Sequence, residues 1–150
     1  MAGGVVTTRS DVVDAVERLS FSLVAVTTAA IAAGGRGLEP TFRQWRLLVI
    51  LGDGPTGHRL GEIVERIGGS APSASRLVRR MQARGLVTIV PDPIDGRGIR
   101  VSLTGEGAAL RSAIIAARRD LLAAGLERLY ASASLAAALD EVARALEAWR

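Results

Sequence analysis

The residues of this chain best suited to chemistry are arginines, and the chemistry they suit is hydrogen bonding to anions and base edges. Arg76, Arg79 and Arg80 follow the small-residue run Ser70-Ala71-Pro72-Ser73-Ala74-Ser75. If the segment is helical, at about 100° per residue, Pro72, Arg76, Arg79 and Ala83 share one face, with Ser73, Ser75 and Arg80 beside them. A guanidinium carries a planar fork of donors that engages guanine O6 and N7, or two phosphate oxygens, at once. Serines at the start of such a helix permit close approach to a groove. A further arginine, Arg97, lies in the turn-forming tip Pro91-Asp92-Pro93-Ile94-Asp95-Gly96-Arg97-Gly98.

Other chemistries find little support. His58 is the single histidine and cysteine is absent, so disulfides, thiol switches and the usual zinc donor sets are excluded. No Ser/His/Asp set, paired carboxylates or phosphate-cradling glycine loop stands in a catalytic context; Gly52-Asp53-Gly54-Pro55 and Gly96-Arg97-Gly98 read as turns. The expectation is a non-enzymatic protein without cofactor or metal. All basic residues are arginine, and they are unevenly placed. Between Pro40 and Thr104 ten arginines face five acids, a net of +5, whereas the remainder is near neutral. A local basic segment of this kind is the electrostatic footprint of a polyanion-binding surface. No apolar run approaches the roughly 18–20 residues of a membrane span, and Asp11, Asp14 and Glu17 precede any apolar stretch. A cytoplasmic protein with no membrane partner is therefore expected.

The elements that must position these arginines can be read in order. Ser10 is expected to cap a first helix whose apolar seam is Val12, Val16, Leu19, Leu23, Val26 and Ala30, ended by Gly34-Gly35-Arg36-Gly37. Thr41 and Gln44 form a capping-box pair opening a short helix that stops at Gly52. A third helix is expected from about His58 to Ile67, with Leu60, Ile63, Val64 and Ile67 inward, and Gly68-Gly69 closes it. Ser70 caps the arginine-bearing helix, which buries Ala74, Leu77, Val78 and Met81 and stops at Gly85. Leu86–Val90 and Ile99–Leu103 read as strands around the turn-rich tip. Thr104 caps a long helix to about Tyr130. A last one, starting at Ser132 or Ser134, carries the stripe Leu135, Leu139, Val142, Leu146 and Trp149. The fold class is thus mainly α with a small β-wing: a recognition helix, then a strand–turn–strand wing. Three long flanking helices exceed what one such core can bury, which implies a two-fold pair of chains.

In their order these pieces resemble the MarR family of winged helix-turn-helix transcriptional regulators. The matching residues are Arg43–Leu51 with its glycine stop, Leu60–Gly68, Ser70–Val87, Asp95-Gly96-Arg97-Gly98-Ile99-Arg100 and Val101–Gly107. The resemblance implies one domain over 1–150, with a winged helix-turn-helix core at 38–104 and dimerisation helices at 10–37 and 105–150. It implies a homodimer that binds a pseudo-palindromic operator on double-stranded DNA as a ligand-responsive repressor, its recognition helices about one DNA turn (~34 Å) apart. DNA contacts would come from Ser70, Pro72, Ser73, Ser75, Arg76, Arg79 and Arg80, and from Arg97 in the minor groove. Asp95 and Arg100 would brace the wing by ion pairing, while Arg84 and Arg66 read as surface or helix-end charges. A small aromatic or anionic effector would bind between flanking helices and core, where Arg18, Trp45, Arg46 and His58 are the candidates. The chain departs from the family pattern in its glycine-flanked, small-residue recognition-helix start and in its scarcity of aromatics. An alternative is a winged-helix module for protein–protein contact, which would have no need of an arginine-lined helix and wing.

Overall fold

In the computed structural model, residues 8–54, 57–93, 98–127 and 132–148 are described. The elements are α1 (Arg9–Gly34), α2 (Phe42–Leu51), β1 (His58–Arg59), α3 (Leu60–Ile67), α4 (Ala71–Ala83), β2 (Val87–Pro91), β3 (Ile99–Leu103), α5 (Gly105–Leu126) and α6 (Ala133–Glu147). Expected caps at Thr41, Ser70, Thr104 and Ser132 each accept the backbone N–H three residues on. The first helix begins earlier than expected. Thr8, not Ser10, is its N-cap, because Asp11 returns its carboxylate to the Thr8 N–H at 2.8 Å and completes a capping box.

The expected start of the third helix at His58 is corrected as well. His58 and Arg59 form a short strand that pairs antiparallel with Val101 and Arg100, giving a three-stranded sheet in the order β1-β3-β2. Gly57 makes the entry possible: its φ is +73°, and a Cβ there would collide with Ser102 Oγ and the Val101 carbonyl. Two residues are too few to show a strand's alternation, so the helical pattern of the following segment absorbed them in sequence.

The core lies where α2, α3, α4, α5 and the sheet meet. Leu47, Leu48, Ile63, Val78, Met81, Leu86, Val87, Val101 and Ile114 are its fully buried large side chains. In α4 the four inward positions Ala74, Leu77, Val78 and Met81 are all buried, as the helical period requires. The long helices α1 and α5 are packed closely at one end. A Cβ on Gly34 would stand 2.7 Å from Ile114 Cα, and Arg118 Nε donates to Thr27 Oγ1 at 3.1 Å.

Elsewhere the flanking helices are largely uncovered. No residue of α6 is buried, and Val13, Phe21 and Val24 of α1 are exposed, Phe21 by 76 %. An apolar groove of about 250 Å³ separates the two helices, lined by Val12, Val16 and Leu19 on one side and Leu135, Leu139 and Val142 on the other. Contrary to the expectation from scanning runs of apolar residues, α1 is long and apolar enough to cross a membrane, with a mean hydropathy of 1.4 over its best 18 residues. Its alanines and valines raise the window, while serines and threonines keep it from being an unbroken apolar run, and its C-terminal end packs on α5.

Candidate nucleic-acid interface

The arginine-bearing helix is fixed by its buried face and by the turn before it. Gly68 and Gly69 have φ of 76° and 94°, and Pro72 lies in the first turn, where a missing N–H costs little. Pro72, Arg76, Arg79, Arg80 and Ala83 are exposed, and Ser73 and Ser75 are half-buried at the margins. These predicted contact residues therefore form one continuous face, with Ser70 at its N-terminal end.

What the central arginines do inside the protein divides them in two. Arg43 and Arg46 donate to the carbonyls of Gly68 and Arg66. Arg59 pairs with Asp92 at 2.6 Å and Arg66 with Asp53 at 2.5 Å. Arg84 donates to Gln44 Oε1 at 3.0 Å and to the Leu38 carbonyl. Arg100 donates to the Gly57 carbonyl at 3.1 Å and lies 3.7 Å from Asp92. Among the described residues, the side chains of Arg76, Arg79 and Arg80 make no hydrogen bond or ion pair. The +5 read from sequence is thus mostly spoken for, and the charge left for an external anion is concentrated on one helix face.

Beside that face, Ser75, Val78, Arg79 and Gln82 of α4 and Ile89 and Ile99 of the sheet line a hollow of about 390 Å³. Gln82 was not among the expected contacts. Its signal was available, since residues 75, 79 and 82 follow the i, i+4, i+7 spacing of one helical side.

At the base of the wing the Asp92 N–H bonds to the Gly98 carbonyl at 2.9 Å, closing the hairpin. Asp92 is 2 % exposed and its carboxylate stands between Arg59 and Arg100. Sequence reasoning did not single it out. A carboxylate between two prolines reads as turn chemistry, and its arginine partner at position 59 is 33 residues away. Asp95 and Arg97 lie outside the described residues, so the expected Asp95–Arg100 brace and the wing-tip contact stand on sequence alone, as does the placement of Trp149.

The four expected effector-contacting residues are not brought together. Trp45, which is 6 % exposed, and Arg46 share a hollow of about 250 Å³ with Val49, Ile50 and Arg66. His58 is elsewhere, packed against Gly54 with its Nδ1 3.3 Å from Glu62 Oε2. Arg18 lies on the exposed N-terminal half of α1 and does not line the Trp45 hollow.

No curated protein matches the chain in sequence. The MarR family model matches residues 36–98, the stretch that runs from the α1–α2 link to the wing. Among solved structures, RV1404 from Mycobacterium tuberculosis is 26 % identical with a TM-score of 0.80, covering 93 % of this chain and 95 % of that one. A MarR-family transcriptional regulator from Rhodococcus sp. RHA1 is 18 % identical with a TM-score of 0.72, over 95 % and 96 % of the two chains. CouR from Rhodococcus jostii RHA1, in a structure bound to p-coumaroyl-CoA, is 19 % identical with a TM-score of 0.72 over 91 % of each. These last two likenesses concern the fold alone. The segment that carries the arginine face is thus similar to the MarR family of winged-helix regulators, and the order of helix-turn-helix, wing and flanking helices is the fold of the solved structures that the chain resembles.

Proposed function

We propose that the protein is a homodimeric repressor that acts in the cytoplasm by binding a pseudo-palindromic operator on double-stranded DNA. The observation that carries this reading is the division of the arginines. Six are engaged within the fold, whereas Arg76, Arg79 and Arg80 stand unpartnered on the exposed face of a helix that begins with small residues. In this reading α4 enters the major groove. Ser70, Pro72, Ser73 and Ser75 allow the approach, Arg76 and Arg79 reach base edges, and Arg80 reaches phosphate. The hollow beside Gln82 would seat the DNA backbone between helix and wing. Arg97 would enter the minor groove, where narrow A·T-rich segments concentrate negative potential, with the wing held by Asp95 and Arg100.

Two copies would pair through the uncovered apolar surfaces of α1 and α6, which carry Phe21, Val24, Leu139 and Leu146. Exposed apolar area of this kind on flanking helices marks an interaction surface. The domain division that follows places the DNA-binding core at 38–104 and the pairing helices at 10–37 and 105–150. An effector, if small, anionic and aromatic, would suit the Trp45 hollow, where an indole and two guanidinium groups line one cavity. CouR, of the same fold, is bound to p-coumaroyl-CoA.

Selection from random duplexes followed by gel shifts across a salt series tests the reading. A two-fold-symmetric site should be enriched, and log K should fall linearly with log salt by about 0.9 per phosphate neutralised. If no sequence is enriched above bulk DNA, specific DNA binding is wrong and a protein–protein role for the winged core takes its place.

A further inference from the structure

The first turn of α2 holds both ends of α4. Arg43 Nη2 donates to the Gly68 carbonyl at 3.2 Å and Arg46 Nη2 to the Arg66 carbonyl at 3.0 Å. Both acceptors belong to the end of α3 and the turn that delivers the chain into α4. At Gly69 a Cβ would stand 3.0 Å from Arg43 Nη2, so a residue without a side chain is what lets the guanidinium lie against this turn. At the far end, Arg84 is the C-cap of α4. It donates through Nη1 to Gln44 Oε1 at 3.0 Å and through Nη2 to the Leu38 carbonyl. The same Gln44 oxygen accepts the Thr41 N–H at 2.9 Å, so one amide group holds the start of α2 and the end of α4 together.

We propose that Arg43, Gln44 and Arg46, together with Arg84, are positioning residues that set the axis of α4, and that they make no contact with DNA themselves. This rests on the DNA-binding reading above and gives that site its support. A single surface hydrogen bond contributes little, but bonds at both ends of one rigid rod act on its direction. A 13-residue helix is about 20 Å long, so a tilt of about 5° about one end moves the other by roughly 2 Å. Base-edge hydrogen bonds, confined to about 2.7–3.2 Å, do not survive such a shift. Leu38 lies in the link between α1 and α2, where Arg36 and Glu39 take φ of 52° and 35°. Through the Leu38 carbonyl, displacement of α1 against the core therefore acts on the exit of α4 directly.

The test uses the full-length protein and the variants Arg43→Ala, Arg84→Ala and Arg84→Lys, none of which touches the exposed face of α4. Native-state hydrogen exchange without DNA should speed up at residues 69–73 in Arg43→Ala and at residues 81–86 in Arg84→Ala. Arg84→Lys, which cannot span both acceptors, should fall between Arg84→Ala and the wild type. On the operator that the wild type selects, the ratio of specific to non-specific affinity should drop at least tenfold in Arg84→Ala, with the salt slope unchanged. A slope lowered by about one unit would mean that the deleted arginine binds phosphate, and the positioning role would be overturned. An unchanged exchange pattern overturns it too, whatever DNA does. If the wild type selects no operator but the exchange pattern holds, the DNA-binding reading is what fails, and a role in DNA recognition falls with it.

Discussion

Arg76 and Arg79 hold nothing inside the described protein, so each can be removed without disturbing the fold. We expect Arg76→Ala or Arg79→Ala to weaken operator binding by roughly 1–3 kcal/mol where the contact is to a base. Their unfolding free energy should stay within about 0.5 kcal/mol of wild type, as for other surface changes; wild-type affinity on a selected operator would refute the assignment. Arg97, outside the described residues, has a different signature. Its removal should cost most on operators with A·T-rich flanks, and an effect independent of flank composition would end its minor-groove role. At this scale the sequence was informative about α4, because helical periodicity alone separates its buried from its exposed positions. It was uninformative about which arginines were already engaged. Arg84 reaches Leu38 across 46 residues and Arg43 reaches Gly68 across 25, and no local pattern announces pairings of that range. Asp92 escaped notice for the same reason, and the effector candidates scattered because Arg18 and His58 were chosen by residue type rather than by place.

The elements themselves were mostly legible, since caps are local chemistry: Thr41 with Gln44, Ser70, Thr104 and Ser132 all mark helix starts where expected. β1 was not legible, for it exists only through pairing with β3. Two element-scale outcomes follow from the close contacts. In Gly34→Ala the new methyl meets the backbone of Ala113 and Ile114, so α1 and α5 must part. We expect a loss of about 1–3 kcal/mol by denaturant unfolding, and a change below about 0.5 kcal/mol would show that the helices separate freely. At the other end of α1, the Thr8 backbone N–H and then its hydroxyl hold the Asp11 carboxyl below its ordinary 3.8, against a small opposing effect of burial. A lowered pKa means that the capping contribution is complete above pH 3.8 and is lost as the pH falls through the lower folded value. Amide protection at residues 9–12, measured relative to the unfolded chain, should therefore fall only below about pH 4, and Asp11→Asn should abolish that pH dependence; an unaltered profile in the variant would refute the capping box.

For the whole molecule the question is what covers α1 and α6. Phe21, 76 % exposed in the single chain, contributes nothing to the core, so Phe21→Asp should leave the chain folded. If α1 is the pairing surface, the variant should sediment as a monomer and lose affinity for the full operator far more than for a half-site, and a dimer of wild-type strength would exclude this face. The flanking helices were readable as apolar stripes, but their partner was not, because a stripe records that something is covered and not by what. The division of the arginines has one more consequence, and it concerns change over time. Six of them are committed to the frame, so a substitution at any of those positions risks the shape of the whole. Residues 72, 73, 76, 79 and 80 hold no other residue through their side chains. New side chains can be tried there one at a time at almost no cost to folding, and if α4 is the DNA-reading helix proposed above, descendants of this protein could come to read different operators on an unaltered scaffold.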